Sequence, residues 1–169
     1  MSGRRVVLAL GSNLGDRLAN LQSGLDSLFG RPGLGFLAVS PVYQTRPVGG
    51  PSQPDFLNAV VTARTELPCR AILDRAHAAE QARRRVRAER WGPRTLDVDV
   101  IACGDEVSDD PVLTLPHPRA HERAFVLAPW RDIEPDAELP GRGRVADLLA
   151  TAARDGVEVD PGSVLRPPS

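Results

Sequence analysis

Apolar residues fall along this chain in two rhythms, one of period two and one near 3.6, and their succession predicts the elements. Positions 6–10 form a short apolar run with β-branched members, read as a buried strand that ends at Gly11. Ser12, Asn13, Gly15 and Asp16 make a turn. Leu14, Leu18, Leu21, Leu25 and Leu28 then draw the stripe of an amphipathic helix closed by Gly30. Residues 36–43 have strand character, and Pro41 assigns them an edge position or a bulge. Pro47, Gly49, Gly50, Pro51 and Pro54 give 46–55 the look of a constrained loop. Positions 57–65 read as the next strand, with β-branched weight at Val60, Val61 and Thr62. Pro68 suits the first turn of a second helix through Ile72, Leu73, Ala76 and Ala79, fraying near Arg84. Residues 96–103 are the fourth strand. Beyond Gly104 the pattern predicts mostly loops, a short apolar run at 125–127 and a helix at 145–153. From Asp155 the chain is rich in Pro and Gly and reads as a flexible or loosely docked tail.

The order β-α-β-β-α-β predicts an α+β fold of the ferredoxin-like kind, an antiparallel sheet with both helices on one face and additions at the C-terminal end. A chain of 169 residues is read as one domain, 1–169, with 155–169 as its tail.

The fourth strand carries the most chemistry. Alternation sends Leu96, Val98 and Val100 to one face and Asp97 and Asp99 to the other, the two carboxylates about 7 Å apart along the chain. Aspartate is depleted in strand interiors, and like charges on one face repel. A cation between the pair removes both objections, and Mg²⁺ suits one or two carboxylates completed by water and phosphate oxygens. Just upstream, Arg83, Arg84, Arg85, Arg87, Arg90 and Arg94 face a single acid, Glu89. Cations also suit a helix C-terminus, which accounts for Arg83. Arg90 and Arg94 flank a Trp-Gly-Pro turn directly before the carboxylate strand, where phosphate is the natural guest. Trp91 is either core or a flat platform beside a purine. A second cluster follows, with His117 held between Pro116 and Pro118 and with Arg123 six residues on. His77 and Glu80, three apart on the second helix, should project on a shared side.

Composition narrows the classes. All 21 basic residues are arginine, which removes P-loop, Schiff-base and pyridoxal chemistry, each of which needs a lysine. A net charge of -1 gives no global attraction for nucleic acid or an anionic membrane. No apolar run approaches a membrane span, and nothing near the N-terminus resembles a signal peptide. Cys69 and Cys103 form no C-x-x-C spacing, so a reducing compartment, the cytoplasm, is the expectation. A metal-dependent nuclease and a ferredoxin-like RNA-binding module stand as rivals to phosphoryl-type transfer. The first needs a polyanion partner, the second exposed aromatics on central strands, for which Phe36, Tyr43, Phe56 and Trp91 are the near candidates.

Four segments carry a resemblance: Leu10-Gly11-Ser12-Asn13-Leu14-Gly15-Asp16-Arg17, Gln53-Pro54-Asp55-Phe56-Leu57-Asn58, residues 90–101, and Pro116-His117-Pro118-Arg119 through Glu122-Arg123-Ala124-Phe125-Val126-Leu127. In order and spacing they resemble the 6-hydroxymethyl-7,8-dihydropterin pyrophosphokinases, over roughly residues 5–150. The resemblance implies a ferredoxin-like fold and transfer of pyrophosphate from ATP, the co-substrate, to a pterin alcohol in folate biosynthesis. It implies that Asp97 and Asp99 hold two Mg²⁺ ions, that Arg94 contacts phosphate, and that Arg85 and Arg87 belong to a mobile catalytic loop. Nucleotide-binding positions fall on His77, Glu80, Arg90, Trp91, Arg94, His117 and Arg123. The pterin is sandwiched between Phe56 and Phe125, with Asn58 reading its edge and Thr45, Pro47 and Val48 lining the pocket. Arg46, Arg84 and His77 depart from the residues common at their positions. The general base is left open, and a monomer acting on small molecules, with no nucleic-acid or membrane partner, is the expectation.

Overall fold

The computed structural model describes residues 3–46, 54–87 and 95–168, the side chains of 84–87 excepted. Its central sheet is antiparallel throughout and runs β10-β3-β4-β1-β5, with β2 lying beside the far half of β4. The strands are β1 (Arg4–Ser12), β2 (Leu34–Val39), β3 (Tyr43–Thr45), β4 (Phe56–Thr65), β5 (Asp97–Cys103) and β10 (Val157–Val159). Two small hairpins, β6–β7 (Ser108–Asp110, Leu113–Leu115) and β8–β9 (Glu138–Leu139, Gly143–Arg144), lie outside it.

The strand expected at 36–43 is two strands, and Pro41 is the reason. β2 and β3 share β4 as partner, and Ser40 bridges the break: its N–H donates to the Val60 carbonyl and its Oγ accepts the Val60 N–H, both at 2.9 Å. A side-chain oxygen thus replaces the ladder bond lost at the interruption.

Helices cover both faces of the sheet. α1 (Arg17–Leu28) starts where the Asp16 carboxylate accepts the Ala19 N–H at 3.1 Å, an N-cap. It buries Leu21, Leu25 and Leu28, as the leucine stripe predicts. With α2 (Cys69–Arg87) it packs on Val6, Leu8, Leu10, Leu57, Ala59, Val61, Leu96, Val98 and Val100. α1 comes so near β5 that a Cβ on Gly24 would sit 2.9 Å from Leu96 Cδ2. On the opposite face α3 (Ala124–Ile133) and α4 (Val145–Thr151) pack with Val7, Val60, Ile101 and Tyr43, around the buried Trp130. The region after Gly104, read from sequence as mostly loops with one helix at 145–153, therefore supplies a second helical layer of two helices, α3 being the one not expected. Being covered on both faces, β4 is buried from Leu57 through Ala63, a continuous run with no polar alternation.

Two further expectations are corrected. The segment from Asp155, read as a loose tail, supplies β10, which pairs with β3. It then buries Leu165 and exchanges bonds with Gln22 through the Arg166 backbone. Proline and glycine there shape turns in a docked segment. The reading of Cys69 and Cys103 from their spacing did not anticipate that they are joined in a disulfide, which ties the start of α2 to the end of β5 with Cα atoms 6.1 Å apart. Sequence separation hid a proximity that the α2–β5 connection creates. Among the described residues no helix is long and apolar enough to cross a membrane.

Candidate active site

On the α3 side of the sheet, a cavity of about 810 Å³ opens where β3, β4, β1 and β5 end together. Its floor is set by register. Asn58 on β4 pairs with Gly11 on β1, which pairs with Asp97 on β5; one step along, Val60, Ala9 and Asp99 form the next row. Gly11 matters because its missing side chain leaves room for Asn58, whose Oδ1 would be 3.1 Å from a Cβ placed there. The Asn58 amide donates to Thr45 Oγ1 at 2.7 Å, fixing its orientation across β3 and β4.

Asp97 and Asp99 point into this cavity, both half-buried, while Leu96, Val98 and Val100 enter the α1/α2 core. The alternation predicted from sequence is the alternation observed. The opposite wall is the first turn of α3, contributing Arg123, Ala124, Phe125 and Val126, with Arg119 and Glu122 just before it. The Arg123 guanidinium lies 5.5 Å from the Phe125 ring centroid, a cation–π distance. Phe56 and Phe125 are both half-buried on the cavity wall, with part of each face left open to a guest.

His117 is positioned by an irregularity in β5. The β1–β5 register steps from Leu8↔Val100 to Val7↔Ala102, so Ile101 has no place in the ladder. Its carbonyl instead accepts the His117 N–H at 2.9 Å, an example of a bulge re-aiming groups beside a site. His117 Nδ1 accepts the Arg119 N–H at 3.1 Å, which leaves the ring proton of the neutral form on Nε2. Burial pushes the imidazole below its ordinary range, Asp99 pulls it back up, and Arg123 and Arg119 push it down.

Glu80 and His77 part company. Glu80 is buried and its Oε2 accepts the Val98 N–H at 2.9 Å, between the two aspartates, whereas His77 is exposed on α2. Neither lines the cavity. Arg83 donates to Asn20, which in turn bonds Ser12 and Leu14 and so holds the turn after β1. Arg85 and Arg87, expected in a loop, have helical backbone at the end of α2. Pro47, Val48, Arg90, Trp91 and Arg94 lie outside the described residues.

The chain from 7 to 135 matches the family model described as 7,8-dihydro-6-hydroxymethylpterin-pyrophosphokinase (HPPK). It is 51% identical over 172 residues to the 2-amino-4-hydroxy-6-hydroxymethyldihydropteridine pyrophosphokinase of Mycobacterium leprae, covering 92% of this chain and 88% of the relative. The enzyme of the same name from Pseudomonas aeruginosa is 41% identical over 160 residues, covering 95% and 99%. The chain belongs to the HPPK family. Among solved structures, a Plasmodium falciparum HPPK-DHPS triple mutant with pteroate matches with a TM-score of 0.70 at 13% identity, over 94% of this chain and 47% of that one. The chain thus spans about half the length of that HPPK-DHPS protein, a likeness of fold.

Of the residues singled out from sequence, the HPPK cavity gathers Thr45, Phe56, Asn58, Asp97, Asp99, Arg123 and Phe125. Its walls also include Arg119 and Glu122, quoted from the sequence without a site role, and Ala9, Ala153, Asp155 and Val157, which the sequence reading passed over. Arg119 was visible as a second cation beside His117. Asp155 and Val157 carried no local signal, since they reach the site only through the pairing of β10 with β3.

Proposed function

We propose that this chain transfers the pyrophosphoryl group of ATP to the hydroxymethyl oxygen of 6-hydroxymethyl-7,8-dihydropterin, releasing AMP, a step of folate biosynthesis. The observation that carries the reading is the meeting in one cavity of two groups of residues. Asp97 and Asp99 suit a metal-bound phosphate chain, and Phe56, Asn58 and Phe125 suit a flat heterocycle. The strand order, with the β2–β3 pair beside β4 and then β1 and β5, supports the ferredoxin-like assignment.

The two carboxylates fit Mg²⁺: they are hard oxygen donors on one strand face, with no sulfur or nitrogen between them. Among the described residues no group of three or more His, Cys, Asp or Glu side chains could hold a metal alone, which suits ions whose remaining positions belong to nucleotide phosphates and water. Two such ions, when bound, would supply Lewis-acid stabilisation of the phosphate oxygens. Arg119 and Arg123 face the same space and can take the negative charge that develops as AMP leaves. His117, held neutral with its Nε2 proton outward from the Arg119 bond, can donate to a phosphate oxygen. Phe56 and Phe125 hold the ring, and Asn58, oriented by Thr45, fixes its edge. In phosphoryl-type transfer such positioning and electrostatics supply most of the catalysis. Arg85, Arg87, Arg90, Trp91, Arg94, His77, Pro47 and Val48 keep the nucleotide, loop and pterin roles that the resemblance implies.

The reading takes 1–169 as a single domain acting as a monomer on small molecules, with no nucleic-acid partner. A cytoplasmic location is part of it, and there the Cys69–Cys103 disulfide would face a reducing pool. The RNA-binding reading is disfavoured because helices cover both sheet faces, and Phe56 and Tyr43 serve the cavity wall and the core. The nuclease reading is disfavoured by the pyrophosphokinase names of the relatives at 41% and 51% identity. Mass spectrometry of the pterin product tests the proposal: addition of two phosphoryl groups per pterin is expected, and addition of one, or none, overturns it.

A further inference from the structure

Among the described residues β5 is the last strand of the sheet, and one of its backbone edges faces no strand. A buried N–H on such an edge requires a partner. Two side-on clamps supply partners. Near the far end, the Ile101 carbonyl takes the His117 N–H; near the start, the Val98 N–H is taken by Glu80 Oε2 at 2.9 Å. The second clamp reaches across from α2 with a buried carboxylate, a costly group to desolvate. Its place in the strand gives a reason. Val98 is the residue between Asp97 and Asp99, and the directions of both flanking Cβ atoms follow from the backbone torsions on either side of its amide. Rotation of that peptide would splay the carboxylates. On its other edge β5 pairs with β1, whose register slips between Val7 and Leu8.

We infer that Glu80 is a positioning residue for the metal pair, acting through the Val98 amide to hold Asp97 and Asp99 at the separation that a divalent cation needs. The inference rests on the reading of Asp97 and Asp99 as metal ligands, and it gives Glu80 a task separate from touching the nucleotide. Partners of this outer kind, when removed from metal sites, typically lower metal affinity 10–100-fold.

The test is Mn²⁺ binding, followed by electron paramagnetic resonance in the presence of a non-hydrolysable ATP analogue, on wild type, Glu80→Ala and Glu80→Gln. Hydrogen exchange at the Val98 amide is read on the same samples. Glu80→Ala is expected to bind Mn²⁺ about tenfold or more weakly and to expose the amide. Glu80→Gln keeps a carbonyl acceptor and is expected to retain amide protection and affinity within about threefold. Should Glu80→Ala fail to fold, Glu80→Asp, one methylene too short to reach, takes its place. Wild-type Mn²⁺ affinity in the Ala variant would overturn the inference. So would Glu80→Gln falling as far as Ala, which would assign the effect to charge, or a loss of metal-free analogue affinity equal to the Mn²⁺ effect, which would assign it to direct nucleotide contact. Absence of Mn²⁺ binding in wild type, unaltered in Asp97→Ala, would remove the metal reading itself and this inference with it.

Discussion

Strand alternation puts Asp97 and Asp99 on one face of β5, directed into the cavity. The aromatic pair is different in kind. Phe56 and Phe125 are 69 positions apart in number, and nothing local to either distinguishes a ring that holds a ligand from one that fills a core. The structure leaves both half-buried on one cavity, whereas the core ring Phe29 meets Phe36 edge to face at 5.5 Å. Phe125→Ala should therefore weaken pterin binding by one to two orders of magnitude, from lost ring contact worth about 1.5–3 kcal/mol. Analogue binding by calorimetry should change less than threefold, and an equal loss for both ligands would contradict the assignment. The arginines were legible as phosphate-competent, but their division of labour was not. Arg83 works within the fold through Asn20, while Arg119 and Arg123 face the cavity.

At the scale of elements, the first four strands and two helices followed from periodicity because each has its own apolar face. Pro41 was legible as an interruption, though the repair by Ser40 depends on β4 and could not be seen locally. Of the second helical layer, α4 (Val145–Thr151) answers the helix expected at 145–153, whereas α3 showed only as a short apolar run at 125–127 because it is short, carries Pro129 and is stabilised by packing on the sheet. Gly11 shows how an element serves the site: Gly11→Ala places a Cβ 3.1 Å from Asn58 Oδ1. The variant should raise the pterin KM several-fold with the ATP KM unchanged, as Asn58 shifts off Thr45; unchanged pterin kinetics would show that the row has slack. β3 and α3 are joined by the Tyr43 hydroxyl, which donates to Asp132. Burial, then that hydrogen bond and the Asp132 charge, push the phenol from 10.0 up to about 12. Between those values the folded state keeps a proton that the unfolded state has lost, so stability falls as pH rises through the window. Urea midpoints from pH 9.5 to 12 should show this decline in wild type, and a shallower one in Tyr43→Phe.

For the molecule as a whole, both termini of the α2–loop–β5 unit are pinned. The disulfide spans 34 positions, a stretch that includes the arginine-rich segment and the whole of β5. On the chain-entropy model that closure is worth about 4 kcal/mol, so reduction should lower Tm by roughly 10 °C. Scanning calorimetry with and without a phosphine reductant checks this, and coincident curves would mean that the covalent link adds nothing. The docking of the C-terminal segment is the other global feature hidden from sequence, since β10 gains meaning only once β3 exists as its partner. It also completes the cavity wall at Asp155 and Val157.

Transfer of pyrophosphate as a unit at the Asp97 and Asp99 cavity is checked by nucleotide chromatography of ATP, Mg²⁺ and 6-hydroxymethyl-7,8-dihydropterin with wild type and with Asp97→Ala. Pterin-dependent AMP with little ADP is expected from wild type. From a folded Asp97→Ala, AMP formation should fall at least about a thousandfold, the scale of losing a metal clamp on a transferring phosphate. ADP as the main product, or near-normal AMP from Asp97→Ala, would contradict pyrophosphate transfer at this cavity.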